Sequence, residues 1–368
     1  MTHPRIDNRL KYDPDYRGEK DRVISGRNDE AYVITSWRYL DVFFGIAARN
    51  WGPPEIEGLA LSTSPLPFDH LMVRLGPRRL RVEALAAQLD PLPLWDAVRP
   101  VNRYLSLHRL IAIPSEHVAV SLFEAAVYSE TGGIPRSWEL WYLNPVNSYL
   151  VAQFTGPETT ANLFAGADVS VAVGRGVRLF GQLLADDFQI DTDTTTDREP
   201  PAYAATIGAS GGALRGTLSW SALYTRVSNV AYRTPAREEQ YTRYGVGLAR
   251  NFSDYDQATL RVTVSPRPRA LVTGELTYLR QGEGDIRERF PPIPAYDDSL
   301  TFLTGVVEKT VRLAAQLAWS PVAGVNLTAD VGRHFITNAG HLAGASDGRW
   351  VWRVRGEIRC RQAGALRW

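Results

Sequence analysis

The pair Asp186–Asp187 has the composition of an acid–base catalyst, because two carboxylates sharing one site can hold their pKa values apart. Its setting works against that chemistry. Val177, Leu179, Gly181, Leu183 and Ala185 alternate with Arg178, Gln182 and Asp186, and neighbours on a strand point to opposite faces. Both aspartates are therefore expected in structural or rim roles, with Asp187 on the oily side just past the apolar run. His108 beside Arg109 is the other acid–base candidate. No motif ties a serine or carboxylate to it, so it is expected on a lumen or interface wall, not as a general base. Gly174 with Gly176, and Gly245 with Gly247, open no helix and read as turn or strand glycines, not as a phosphate loop. The single cysteine, Cys360, permits neither a disulfide framework nor a multi-cysteine metal site. No metal-ligand spacing and no cofactor motif occurs, so no catalytic residue, metal or cofactor is predicted.

Sugar recognition is a chemistry the residue types do supply. Trp51, Trp95, Trp138, Tyr232 and Tyr296 fall in connecting segments with Arg233, Arg237 and Asp297. Such rings offer large flat apolar faces, and guanidinium and carboxylate groups hydrogen-bond hydroxyls. Trp51, Arg233 and Arg237 are the expected glycan contacts; packing within the loops is the alternative for each.

The elements that would position these residues are strands. Val169, Val171 and Val173 alternate with Asp168, Ser170 and Ala172 ahead of Gly174–Gly176, so residues 168–187 read as a β-hairpin. The oily run 177–185, at roughly 3.3 Å per residue and about 40° of tilt, spans the roughly 25 Å apolar band of an outer-membrane barrel. The pattern recurs. Leu214, Leu218, Trp220, Ala222 and Tyr224 face one way and Arg215, Thr217, Ser219, Ser221 and Thr225 the other, with Leu223 the exception. Ala258 to Val264, Ala270 to Tyr278, Val325 to Val331 and Trp350 to Cys360 repeat it, and the last strand opposes four arginines to its oily face. Such arginines need water or carboxylates, not lipid.

Counting the arms predicts about 16–18 strands in one large closed antiparallel transmembrane β-barrel, residues 31–368, after a polar lead at 1–30. Short periplasmic turns would alternate with long extracellular loops. Two short connections in a row near 251–256 and Pro266 break the alternation, implying a missed strand inside 228–240 or a misread turn. The segment 130–153, containing WELWYLNPVNSYL, stays open between strand, helical turn and plug-like insertion. Trp220, Tyr224, Tyr278, Trp319, Trp350 and Trp352 fit interfacial girdles.

Composition narrows the class further. The chain has 368 residues, 44% of them hydrophobic, and no run of 18 uncharged apolar residues, so a helical membrane protein is excluded. The 41 basic and 40 acidic residues give a net charge of +1, so no nucleic-acid ligand is expected. The first thirty residues lack the apolar region of an export signal, so the start of an exported precursor is expected to lie outside this sequence.

The segments GR at 26–27, WGP at 51–53, PFD at 67–69, NRYLSLHRL at 102–110, ELWYLNPVNSY at 139–149, LLADDFQID at 183–191 and FSDYDQATL at 252–260 occur in order over most of the chain. In these segments the sequence resembles the capsule assembly Wzi family of outer-membrane barrels. The resemblance implies a closed barrel of about eighteen strands, a helical bundle at its periplasmic end, and a non-enzymatic lectin that holds capsular polysaccharide. The helical part is not evident here. Surface polysaccharide and outer-membrane lipid are the partners implied, with a diffusion porin as the alternative function.

Overall fold

The computed structural model describes residues 30–358 except 66, 94–98, 130–137, 150, 152–160, 175, 188–201 and 291–301. Wall strands follow one another as β1 (Ala31–Ser36), β2 (Leu40–Ala47), β3 (Phe68–Leu75), β4 (Leu80–Pro93), β5 (Pro100–Ser115), β6 (Val118–Ser129), β7 (Ala161–Val173), β8 (Val177–Asp187), β9 (Ala202–Ala213) and β10 (Leu218–Val227). After a two-stranded ribbon, β11 (Thr242–Arg243) and β12 (Val246–Gly247), come β13 (Tyr255–Arg267), β14 (Ala270–Gln281), β15 (Glu308–Trp319), β16 (Val325–Thr337) and β17 (Ser346–Ile358). One 15-stranded sheet takes every strand except the ribbon, and each wall strand pairs antiparallel with its neighbour in sequence.

Against the expected 16–18, the described residues hold fifteen strands in the wall and two in the ribbon. The ribbon explains the doubled short connection: residues 228–254 form one long loop, so short turns and longer connections alternate along the described chain. Among the described residues β1 and β17 are edges with one partner each, and the ring closure expected from the sequence is not among the pairings.

Alternation decides which side chains meet solvent. On β10, Leu223, Thr225 and Val227 are buried while Tyr224 is exposed, and Leu218, Trp220 and Ala222 share the convex side with Tyr224 by parity. Leu223 is no defect, since it packs on the concave side near Phe180 across Gly208, where a Cβ would stand 2.5 Å from the Phe180 ring and 2.9 Å from Leu223 Cδ2. On β8 the concave set is Phe180, Gln182 and Leu184, all buried, against exposed Leu179 and Leu183. Arg215 and Thr217 fall in the turn before β10, where a 3-10 turn spans Leu214–Gly216.

Within the segment left open in the sequence, residues 138–149 form a flap. A short helix, α1 (Leu140–Leu143), and Tyr149 lie on the convex wall over β5 and β6. Tyr104, Tyr128, Tyr142 and Tyr149 pack there with Ala126. None of the described helices is long and apolar enough to cross a membrane, which does not bear on strands that do so.

Candidate functional site

The concave face is filled by two connections that fold inward. In residues 48–67, the run Leu59–Leu61 and Trp51 are apolar, and all four are at most 2% exposed. Asn50 shapes the loop locally: its amide donates to the carbonyls of Pro53 (3.3 Å) and Ile56 (3.1 Å), and its oxygen accepts from Gly58 N (2.7 Å). Trp51 N donates to Leu61 O at 2.8 Å, and a Cβ on Gly58 would stand 2.5 Å from Trp51 O. Glycine is required by that close approach. Gln182 on β8 then ties the loop to the wall, accepting from Leu59 N (2.7 Å) and donating to Trp51 O (2.8 Å). At the loop's tip, Glu55 accepts from Arg178 and from Ser210 Oγ (2.7 Å), near the turn ends of β8 and β9.

Residues 228–254 lock the first loop from above. Tyr232 OH donates to Leu59 O (2.8 Å), Tyr241 OH to Ala60 O (2.6 Å), Ser62 N to Leu248 O (2.9 Å) and Arg250 Nη1 to Glu57 O (2.9 Å). Phe164, Tyr232 and Tyr241 stack with centroids 4.5 to 5.8 Å apart. Burial pushes both phenols above their ordinary pKa, so they stay neutral donors. Buried Arg103 holds the second loop to β5 through the carbonyls of Glu238 (2.6 Å), Gln240 and Thr242 (3.2 Å). Each of these buried polar groups finds a backbone partner, which is what lets a loop lie inside a sheet.

Below the plug, toward the turn ends of β13 to β17, lies a cavity of about 870 Å³. Its charged lining pairs internally: Arg261 donates to Glu275 (2.8 Å), and Arg312 bridges Glu275 and Asp330 (2.7 Å). Arg353 and Arg355 of β17 line it too, so arginines of the last strand face carboxylates and solvent as the sequence requires.

The candidate glycan residues land elsewhere than expected. Trp51, at 2% exposure, is not an open platform; its ring lies under the Arg109 guanidinium at 4.7 Å, inside the plug. Arg233 is buried and donates to Asn229 Oδ1 (2.9 Å) and Arg289 O (2.7 Å). Tyr232 is buried as described. Arg237 is half-buried in a 3-10 turn, Arg237–Glu239. Trp138 leans on Tyr104 at 5.1 Å over the convex wall. Trp95, Tyr296, Asp297 and Cys360 lie outside the described residues. The structure does not bring Trp51, Arg233 and Arg237 together on a surface.

A different aromatic stands at the loop end. The β11–β12 ribbon turns through Tyr244 (φ 49) and Gly245 (φ 74), two left-handed residues as a tight primed hairpin turn requires. That turn leaves the Tyr244 ring 46% exposed. Arg243 lies over it at 4.7 Å, and Arg287 donates to Gly245 O at 2.6 Å. The sequence signal was there in TRYGVG, an aromatic and a glycine between short β-prone stretches.

Asp186 and His108 both make structural contacts. Asp186 points inward and accepts from Tyr232 N at 2.6 Å. His108 stands on the convex face, its Nε2 2.9 Å from Glu124 Oε2 and its ring 4.3 Å from Tyr149. Glu124, directly opposite on β6, is the carboxylate partner that sequence reasoning missed. Ser148 Oγ donates to Glu124 (2.8 Å), not to the imidazole, so Ser148 is not set for activation by His108. Among the described residues no three His, Cys, Asp or Glu side chains are grouped to hold a metal ion.

No protein-family model matches the sequence, and no curated protein matches it. Solved structures do. Wzi of Escherichia coli, described as an outer membrane protein involved in group 1 capsule assembly and a carbohydrate-binding β-barrel, superposes with a TM-score of 0.65 at 14% identity. The match covers 93% of this chain and 73% of that one. The chain has the fold of an outer-membrane β-barrel. OccD3 (OpdP) of Pseudomonas aeruginosa (TM-score 0.46, 10% identity, covering 87% of this chain and 74% of that one) and the outer membrane channel DcaP of Acinetobacter baumannii (0.44, 12%, 89% and 83%) are also similar.

Proposed function

We propose that the sheet closes as a transmembrane barrel in the outer membrane and that its loop end binds surface polysaccharide, helping to attach or assemble it there without catalysis. The observation that carries this over a diffusion porin is the double plug. Residues 48–67 and 228–254 fill the concave side and hydrogen-bond to each other and to the wall, whereas a porin needs a continuous aqueous path. The Wzi-like fold supports the same reading.

The contacts shift from Trp51, Arg233 and Arg237 to Tyr244 with Arg243 and Arg287, where an exposed ring is flanked by guanidinium groups. A polymer held at many repeats needs only weak contact at each. Tyr244→Ala lowers glycan-array binding of detergent-purified protein about two- to tenfold, the worth of one aromatic contact, and Tyr244→Phe does not. Cell-associated polysaccharide after centrifugation reads the function itself: unchanged retention on deletion of the whole chain overturns it. Steady conductance of the wild-type protein in a planar bilayer would return the porin to first place.

A further inference from the structure

Strand parity places four of the five convex-facing cations of the described wall strands in one region, the fifth being Arg267 opposite Ala270 at the turn end. Arg226, Arg280, Lys309 and Arg333 stand on β10, β14, β15 and β16, whereas the convex positions of β2 to β9 carry neither lysine nor arginine. Three of the four share a row. Arg226 pairs in register with Asp256, Asp256 with Arg280, Arg280 with Lys309, and Lys309 with Thr337. At roughly 4.8 Å between strands this row runs about 19 Å along the loop end of the wall.

The fourth cation climbs to join it. Arg333 sits four residues below Thr337, over the rings of Phe335 (5.5 Å) and Trp350 (5.7 Å). A Cβ on Gly348 would lie 2.6 Å from its Nη2, so the guanidinium occupies the space above Trp350 that only glycine leaves open. Arg226 is held from the other side, 3.7 Å from the Phe302 ring centroid. Directly beneath the row come Tyr224, Tyr278 and Phe335, and then Leu260, Leu276 and Leu313.

Among the described residues of these strands, the four cations share the convex face with one carboxylate, Asp256. Asp256 is taken by Arg280 (Nε to Oδ1 2.8 Å) and by Tyr224 OH (3.1 Å). Lys309 stands directly opposite Arg280, a like-charge cross-strand pair that costs stability without an anion nearby. Cations above an aromatic row above an aliphatic band match a lipid layer seen from its side, with phosphate at the cations and acyl chains on the leucines.

We infer that the convex rim of β10 and β13–β16 is a binding site for a lipid whose headgroup carries phosphate, held by Arg226, Arg280, Lys309 and Arg333. The inference rests on the outer-membrane part of the reading above and not on polysaccharide binding. The test uses the full chain folded in a neutral detergent, with diphosphorylated lipid A as probe and native mass spectrometry as readout. Phosphatidylcholine and inorganic phosphate serve as comparisons. Each cation near a membrane surface is worth about a fivefold change in binding, so Arg280→Gln/Lys309→Gln/Arg333→Gln loses about a hundredfold, while Arg78→Gln/Arg79→Gln at the opposite end of the wall loses none. Raising salt weakens the wild type more than the triple variant. Equal binding by the triple variant, equal binding of phosphatidylcholine, or full displacement by inorganic phosphate at matched concentration overturns the inference. Should the triple variant not fold, Lys309→Gln alone, an exposed site, still must show its fivefold loss.

Discussion

Gln182→Leu should unlatch the plug. The substitution nearly preserves volume, but it removes the acceptor for Leu59 N and the donor to Trp51 O, bonds of 2.7 and 2.8 Å between fully buried groups. A buried polar group left without its partner costs roughly 1–3 kcal/mol, and two are orphaned, so docking of residues 48–67 weakens by roughly 2–6 kcal/mol. Every 1.4 kcal/mol is about tenfold in population, which makes the undocked loop about thirty to about twenty thousand times more frequent. The other locks, through Tyr232, Tyr241 and Arg250, still act. The expected record in a planar bilayer is therefore intermittent opening against a silent wild type, with the folded, heat-modifiable band retained. Limited proteolysis within residues 50–62 should rise in parallel. A variant as silent and as protease-resistant as the wild type would show that Gln182 does not hold the loop, and the plug argument would fail with it.

Three further outcomes test other parts of the structure. Leu276→Arg, mid-strand on the convex face and 45% exposed, should cost roughly 2–4 kcal/mol of assembly, and Leu218→Arg at the first residue of β10 roughly 0–1; equal effects in a heat-modifiability assay would contradict the depth assigned to them. The Tyr232 and Tyr241 phenols are held above their ordinary pKa of 10.0 by burial, while in an unlocked loop they ionise near 10. Their stabilisation is thus complete below pH 10 and declines as pH rises past it, so proteolysis of residues 50–62 should increase above pH 10 in the wild type and less steeply in Tyr232→Phe/Tyr241→Phe. Glu124→Leu strips His108 Nε2, Ser148 Oγ and Tyr149 N of their acceptor, at roughly 1–3 kcal/mol for each group left buried; faster cleavage around α1 with an intact wall is expected, and unchanged cleavage would mean that the flap is held by its tyrosines alone.

The wall was legible because its signal is local. Leu218, Trp220, Ala222 and Tyr224 declare a face by alternation alone, and their pairing with Val264, Val262, Leu260 and Ala258 only repeats it. What the sequence hid depends on contacts far along the chain. Trp51 looked like a platform because the ring sits in a Pro- and Gly-bearing loop; the neighbouring apolar run Leu59–Ala60–Leu61 was the hint that this loop goes inside, and its partners lie on β8 and in residues 228–254. The stretch Arg103 to Leu110 misled because both faces carry polar groups. Its inward arginines meet loop carbonyls and Glu83, and its outward His108 meets Glu124 beneath a flap more than thirty residues away. Trp51, Tyr232 and Arg233 are buried for one reason: exposure is a property of the folded loop, and an aromatic ring or an arginine serves equally well in a plug.

The separation of the plug's contacts sets the order in which the molecule can be built. Residues 48–67 follow the second strand, yet their partners are 123 residues on at Gln182, 187 at Ala249 and 206 at Arg261. Chain closure over such distances is slow compared with pairing of neighbouring hairpins. While β3 to β10 add one after another, Trp51 and Leu59–Leu61 have no wall to bury against and stay open to chaperones and proteases. Refolding followed by pulse proteolysis should find the wall strands protected before residues 50–62. The last event of assembly is the stopper, and every earlier intermediate is an unplugged one.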